Sequence, residues 1–304
     1  MNIDNRENVI TIREDAPTGW EQYVLLMSDN HHDSPLCDRK LEEKHLKEAK
    51  ARNAWILFGG DYADAMQGRR DPRSSYDNLD QALKGDDYLD RLVKFNTDFL
   101  APYAENVYLM ARGNHETSVM KHYGVDITSQ MVYRMRTEHN SPVVAGGYGG
   151  WVRFMFTMDT TKRFSLNLKY FHGAGGEAPV TKGVIQTNRQ AVFLPDADVV
   201  WNGHNHQGYC VMIQRERLST AGRVYQDCQW HIRTPGYMNG YGGGSKGWAV
   251  ESGMAPTPLG CVWLRLFRED NRSHIFHFFA CINKVTKPFQ NDFLLTVLLN
   301  EDQL

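Results

Sequence analysis

Five short apolar runs, each ended by Gly, Asn or Asp, set the rhythm of this chain: Val24-Leu25-Leu26-Met27, Trp55-Ile56-Leu57-Phe58, Val107-Tyr108-Leu109-Met110, Leu168-Lys169-Tyr170-Phe171 and Val199-Val200-Trp201. Runs this short, bounded by turn residues, predict buried strands. After the first of them, Asp38 to Asn53 is rich in Lys, Glu, Leu and Ala and places Leu41, His45 and Ala49 on one face. That spacing predicts an amphipathic helix with a solvated outer face. Asn78 to Tyr103 repeats Leu79, Leu83, Leu89, Leu92, Phe95 and Phe99 at helical intervals, with an interruption near Gly85. From about Ser141 the period shortens to two. Trp151–Phe156 and Phe164–Tyr170 alternate and predict a hairpin. So do Tyr209–Gln214 with Arg223–Thr234, turning at Ser219–Gly222, and Val262–Phe267 with Ser273–Ala280.

Helices therefore gather in the first half and antiparallel strands in the second. Two sheets packed together with helices outside accommodate both halves in one domain spanning residues 1–304. Two segments stand apart. The Gly-rich stretch 234–260 cannot be one regular element and is either an inert surface loop or a cover over the functional site. A tail from about residue 284 carries the apolar Phe293–Leu299, expected to pack on the core.

Composition narrows the partners. A net charge of −2 supplies no global basic field, which argues against non-specific tracking along polynucleotides though not against a local basic cleft. Five dispersed cysteines with no C-x-x-C fit reduced thiols in a cytosolic protein. Met1–Glu7 has neither a basic cluster nor an apolar run, and no apolar stretch is long enough to span a bilayer. The expectation is a soluble, cytoplasmic protein with no membrane partner.

Candidate chemistry follows the apolar runs. In order they lead into Asp29-Asn30-His31, Gly60-Asp61-Tyr62-Ala63-Asp64, Gly113-Asn114-His115-Glu116, His172 and Gly203-His204-Asn205-His206. By composition alone, chance gives roughly 0.8 matches to D-x-H, about 0.04 to G-H-x-H and about 0.003 to G-N-H-E. The first motif is thus uninformative alone, whereas the series is not. Polar residues sit repeatedly at the carboxyl ends of strands, where open α/β sheets bind ligands. Carboxylates, an amide and imidazoles without thiolate suit borderline first-row metals and do not fit a closed Cys-type zinc.

The ordered series resembles the calcineurin-like metallophosphoesterase superfamily, whose pattern is D-x-H, G-D-x-x-D, G-N-H-[DE], a lone His and G-H-x-H. Every element is present from Asp29 to His206. The resemblance implies a four-layer α/β sandwich of two mixed sheets flanked by helices. It also implies two divalent metal ions, Mn foremost, with Fe, Zn or Ni as alternatives. Asp29, His31, Asp61 and His206 would hold the first metal. Asp61, Asn114, His172 and His204 would hold the second, with Asp61 bridging. His115 would supply the leaving-group proton, held in place by Asp64, and a metal-bound hydroxide would attack phosphorus with no covalent enzyme intermediate.

The ester class is less sharply drawn. Arg112-Gly113-Asn114-His115-Glu116 spells the R-G-N-H-E of Ser/Thr protein phosphatases, but the Arg those enzymes carry after the second motif is Ala65 here. The chain resembles more closely the prokaryotic and phage phosphodiesterase and DNA-repair-nuclease branch. On that reading Arg69, Arg70 and Arg73 would line a groove for a polynucleotide backbone beside Arg112, and Tyr62, Tyr76, Tyr237 or Tyr241 would stack on bases. The expected activity is phosphodiester hydrolysis, including that of DNA, with a phosphomonoesterase as the alternative. A non-catalytic scaffold ranks far below, because no ligand position is missing.

Overall fold

The computed structural model describes residues 2–6, 8–65, 79–158, 163–175, 181, 183–241, 248–268, 273–283 and 295–300. The strands before residue 150 are β1 (Asn2–Arg6), β2 (Val9–Asp15), β3 (Glu21–Met27), β4 (Trp55–Phe58), β5 (Val107–Met110), β6 (Val144–Ala145) and β7 (Gly149–Thr157). There follow β8 (Arg163–Phe171), β9 (Val199–Asn202), β10 (Tyr209–Leu218), β11 (Val224–Arg233), β12 (Leu259–Arg268), β13 (Ser273–Asn283) and β14 (Leu295–Asn300). The helices are α1 (Arg39–Ala51), α2 (Tyr88–Leu100), α3 (Asn114–Tyr123), α4 (Ile127–His139), α5 (Val184–Phe193) and the single turn α6 (Trp248–Glu251).

These strands make two mixed sheets of seven. One runs β1-β2-β7-β8-β9-β11-β10 and the other β14-β13-β12-β3-β4-β5-β6. The expected α/β sandwich is what forms. The inner faces share a core that includes Ile12, Leu26, Trp55, Leu57, Phe154, Leu168, Trp201 and Leu264. Leu25, Ile56 and Phe58, the alternate residues of β3 and β4, face a second core shared with Leu46 of α1, Leu92 of α2 and Met131 of α4. Alternation on central strands thus divides the apolar side chains between two layers. On the outer face of the other sheet α5 docks by polar contacts, Gln190 exchanging amide hydrogen bonds with Asn202 at 2.9 and 3.1 Å.

Local signals account for much of this. Asp38 caps α1, accepting from Leu41 N at 3.1 Å. Leu41, His45 and Ala49 are all buried, as the helical spacing predicts. The second helical stretch is indeed broken at Gly85, giving a short 3-10 turn at Gln81–Leu83 and then α2. All three expected hairpins form: β7 with β8, β10 with β11, and β12 with β13. Absent from the sequence reading were the β1–β2 hairpin, which extends the sheet beside β7, and helices α3, α4 and α5. The apolar tail enters the second sheet as its edge strand, β14 pairing antiparallel with β13.

What matters for function is the disposition of five strands. β3, β4 and β5 are parallel neighbours in one sheet, and β8 and β9 are parallel neighbours in the other. All five motifs leave their carboxyl ends. The motif loops also bond to one another: Asp29 N donates to Gly60 O (3.0 Å), His31 N to Asp61 O (3.1 Å) and Gly203 N to His172 O (2.8 Å). No described helix is long and apolar enough to cross a membrane.

Candidate metal centre

Asp29, His31, Asp61, His204 and His206 all hold positive φ, between 46° and 77°. Non-glycine residues rarely adopt this region, and it costs roughly 1–2 kcal/mol per residue, less for Asp. Five such residues in one place mark loops forced into position by the strands that carry them. Close backbone approach does the rest. A Cβ on Gly113 would lie 2.1 Å from Asp61 Oδ1, one on Gly203 2.5 Å from Asp29 Oδ2, and one on Gly236 2.8 Å from Asp29 O. Only glycine fits at these three points.

The result is two adjoining clusters. Asp29, His31 and His206 bring ligand-type atoms within 4.8 Å of one another, and so do Asp61, His172 and His204. Asn114 Oδ1 lies 3.1 Å from His172 Nε2 and 2.7 Å from His204 Nδ1, and His172 Nε2 is 3.0 Å from Asp61 Oδ2. His172 Nδ1 faces the carbonyl oxygen of Gly59 at 3.0 Å, which requires the proton on Nδ1. Its Nε2 then faces two oxygens that can only accept, so it holds a second proton in the metal-free protein and would give that place to a shared cation. His31 makes the same case for the other cluster: Nδ1 is 3.0 Å from Asp64 Oδ1, while Nε2 is buried without a hydrogen-bond partner. Charge agrees with geometry. Burial works against protonating His172, yet Asp61, Asp29 and Glu116 lift its pKa to about 10. Burial likewise opposes a charge on His31, but Asp64, Asp61 and Asp29 raise it to about 9. Positive charge is wanted at both places. His206, by contrast, is pushed down to about 4 chiefly by burial and stands as a neutral imidazole. The donor set therefore fits a pair of divalent ions.

His115 sits at the edge of both clusters. Its ring is 4.6 Å from that of His31, and its Nε2 is 3.9 Å from Asp61 Oδ2. The sequence reading has the Asp64 carboxylate holding this imidazole. In the structure the backbone carbonyl of Asp64 accepts from His115 Nδ1 at 2.5 Å, whereas the carboxylate is 3.5 Å from it and closer to His31. Asp64 thus orients two rings with two different oxygens. Burial opposes its ionisation, but the His31 hydrogen bond and the nearby imidazoles hold its carboxyl below the ordinary range.

Several contributors have no role assigned by the motif pattern. Glu116 is fully buried and accepts from the backbone N–H of Asp61 (3.1 Å), Ala63 (3.0 Å) and Gly113 (2.8 Å). Asp33 accepts from Asp64 N (2.6 Å) and Ala65 N (3.0 Å). Ser28 Oγ bonds both the Asp29 carboxylate and Thr234 Oγ1. Asn205 donates to Gly175 O (3.2 Å) and accepts from Arg233 Nη1 (3.3 Å). Arg233 is buried, lies over the ring of Tyr209, and has no ion-pair partner among the described residues.

The substrate-side expectations fare differently. Tyr62 and Tyr237 are wholly buried. Tyr62 packs edge-on against Phe58, and Tyr237 Oη bonds His45 Nδ1 at 2.8 Å. Neither presents a face for a base, which corrects the reading of Tyr62 as a stacking residue: the turn that aims Asp61 into the ligand cluster sends the next side chain into the core. Arg112 is engaged by Asp126, the N-cap of α4. Arg69, Arg70, Arg73 and Tyr76 lie outside the described residues. The segment after β11 packs on the first ligand loop. Tyr237 N donates to Asp29 O (3.0 Å), Asp38 N to Tyr237 O (2.8 Å) and Asn239 N to Leu36 O (2.9 Å), so this stretch is tied to the first ligand loop.

The sequence model of the calcineurin-like phosphoesterase family matches residues 23–208, which span all five motifs. No curated protein matches the chain significantly. Among solved structures, the chain is similar to a predicted phosphoesterase from Streptococcus pneumoniae, at 12% identity and a TM-score of 0.35, covering 92% of this chain and 98% of that one. It is also similar to GAP50, the anchor in the inner membrane complex of Plasmodium, at 11% identity and a TM-score of 0.42, covering 92% and 89%. A third is the calcineurin-like phosphoesterase YfkN from Bacillus subtilis, at 12% identity and a TM-score of 0.30, covering 93% and 91%.

Proposed function

Since the chain belongs to the calcineurin-like phosphoesterase family, we propose that it hydrolyses phosphodiesters with the aid of two divalent metal ions held at the strand ends. Asp29, His31 and His206 would hold one ion, Asn114, His172 and His204 the other, and Asp61 would touch both. The observation that carries this reading is the His172 imidazole, whose Nε2 converges with Asp61 Oδ2 and Asn114 Oδ1 at 3.0 and 3.1 Å. A pair of such ions neutralises phosphoryl oxygens and lowers the pKa of bound water toward neutrality.

The chain's own residues supply the remaining parts. His115 carries its Nδ1 proton against the Asp64 carbonyl, which aims Nε2 into the centre. From there it protonates the departing oxygen, a contribution worth about 10²–10⁴ in rate for general acid catalysis. The Asp64 carboxylate fixes His31. Glu116 and Asp33 hold the backbone of Asp61 and of the residues that follow it. The diester assignment is supported by the chain's cations: Arg112 is committed to Asp126, and Ala65 stands where protein phosphatases of the family place an Arg to grip a dianion. A diester carries one charge fewer and needs no such grip.

The assay is a comparison of bis-p-nitrophenyl phosphate with p-nitrophenyl phosphate, using protein reconstituted with Mn²⁺, the first of Mn, Fe, Zn and Ni to supply. The diester should be turned over at least tenfold more efficiently, and chelation should abolish the rate. A preference for the monoester would reverse the assignment, and no turnover with any of the four metals would refute the enzyme.

A further inference from the structure

A cavity of about 210 Å³ opens directly beside the centre, and it is built from the loops after β8 and β9 and the segment between β11 and β12. Its inner end is His204, Asn205 and His206; its walls include Met238, Tyr241, Met254 and Ala255. Thr257 and the Asn205 amide supply polar handles, and no Asp, Glu, Lys or Arg lines it among the described residues. This volume falls below the roughly 300–1,000 Å³ of pockets for drug-sized ligands, so it fits one ring system rather than a length of polymer. Thioethers and a phenol ring suit a flat, uncharged group.

His115 does not line this cavity. In the proposed reaction the departing oxygen lies at His115, so a group in the cavity is a different substituent on phosphorus. A monoester has only one organic substituent, and that one leaves. We infer that the cavity binds the retained ester group of a small phosphodiester, a neutral planar ring such as an aryl group or a nucleobase. This rests on the diester reading above. The water oxygen bonds to phosphorus, the bond to the departing oxygen breaks, and its electron pair takes the His115 proton. The proton lost by water goes to solvent. The retained P–O–C linkage survives, and the product is a monoester seated in the cavity.

The test holds the leaving group constant. Mn²⁺-reconstituted full-length protein is assayed on p-nitrophenyl phosphate diesters whose second group is methyl, phenyl or thymidin-5′-yl. The phenyl or thymidinyl ester should exceed the methyl ester at least tenfold in kcat/KM. A phenyl preference assigns an aryl group and a thymidinyl preference a nucleobase, and both support the cavity. Two variants locate the effect. Ala255→Trp adds bulk at an exposed rim position, and Met254→Ala removes a wall. Each should shrink the ring-to-methyl ratio at least fivefold, and a ratio is insensitive to the fraction of folded protein. Equal kcat/KM for all three esters, or an unchanged ratio in both variants, overturns the inference while leaving the phosphodiesterase standing. Failure to turn over any diester overturns both.

Discussion

Removing Glu116 tests whether backbone satisfaction, rather than the ligand side chains alone, builds this centre. Its two carboxylate oxygens take three N–H groups, from Asp61, Ala63 and Gly113, in a site closed to water. Each buried donor left unpaired costs about 1–3 kcal/mol. Glu116→Gln keeps one carbonyl oxygen, which at the Oε2 position still accepts from Asp61 and Gly113 and orphans only Ala63 N. Glu116→Ala orphans all three. A second effect runs the other way. Burial first, and then the Asp61 charge, raise the Glu116 carboxyl from 4.5 to about 7, against the pull of its backbone donors. An acid raised on folding contributes stability that is fully present below its unfolded pKa and lost as pH rises through the folded value. Above pH 7 the metal-free protein thus forgoes about 3 kcal/mol, at 1.36 kcal/mol per pKa unit. Both variants recover that amount equally, so it cancels between them. Alanine should therefore be less stable than glutamine by about 2–6 kcal/mol, the cost of two further orphaned donors. Glutamine should lie near wild type at pH 8 and below it at pH 5. Urea denaturation of the metal-free proteins at both pH values reads this directly. Equal stability of the two variants would refute the account, because the three N–H groups would then have found other partners.

Three shorter predictions bear on neighbouring steps. His115→Asn should retain both metals by elemental analysis yet lose about 10²–10⁴ of kcat on a diester with an alkoxide leaving group, and far less with p-nitrophenolate. Gly113→Ala should lose Asp61-dependent metal binding, since its Cβ would stand 2.1 Å from Asp61 Oδ1; full metal occupancy would contradict the close approach. Asp198 has its carboxyl lifted to about 6, first by burial and then by Asp227, while Asn167 N and Arg215 hold it down. Asp198→Asn should consequently gain about 1–3 kcal/mol at pH 7.5 and nothing at pH 4, as thermal melts at the two pH values would register.

The strands that end in ligands were legible because each is a short apolar run cut off by Gly, Asn or Asp, a signal complete within four or five residues. Helix α1 was legible for the same local reason: one face, one cap, one length. By contrast α5 exposes Ile185, Val192 and Phe193 and docks through Gln190, so its apolar spacing points away from the sheet it covers. The β1–β2 hairpin becomes a structural element only through β7, some 140 residues later. Pairing at that distance leaves no mark on either segment alone.

The same division runs through the centre itself. Motif spacing gave which side chains converge, but not which oxygen of Asp64 meets which imidazole, nor that Asp33 and Glu116 occupy themselves with backbone. Those roles answer a demand the motifs create. Five residues at positive φ bend their loops out of any regular pattern, and the N–H groups so freed are buried beneath the ligands. Water is excluded there, and neighbouring strands cannot reach them, so carboxylates must accept them instead. A chain that places Asp and His at such strained turns therefore needs acidic residues behind them whose charge never faces the substrate. Glu116 is in the third motif for that reason: the turn that presents Asn114 and His115 leaves Gly113 N without a partner, and the side chain three residues on, at the start of α3, is the nearest that can fold back to accept it.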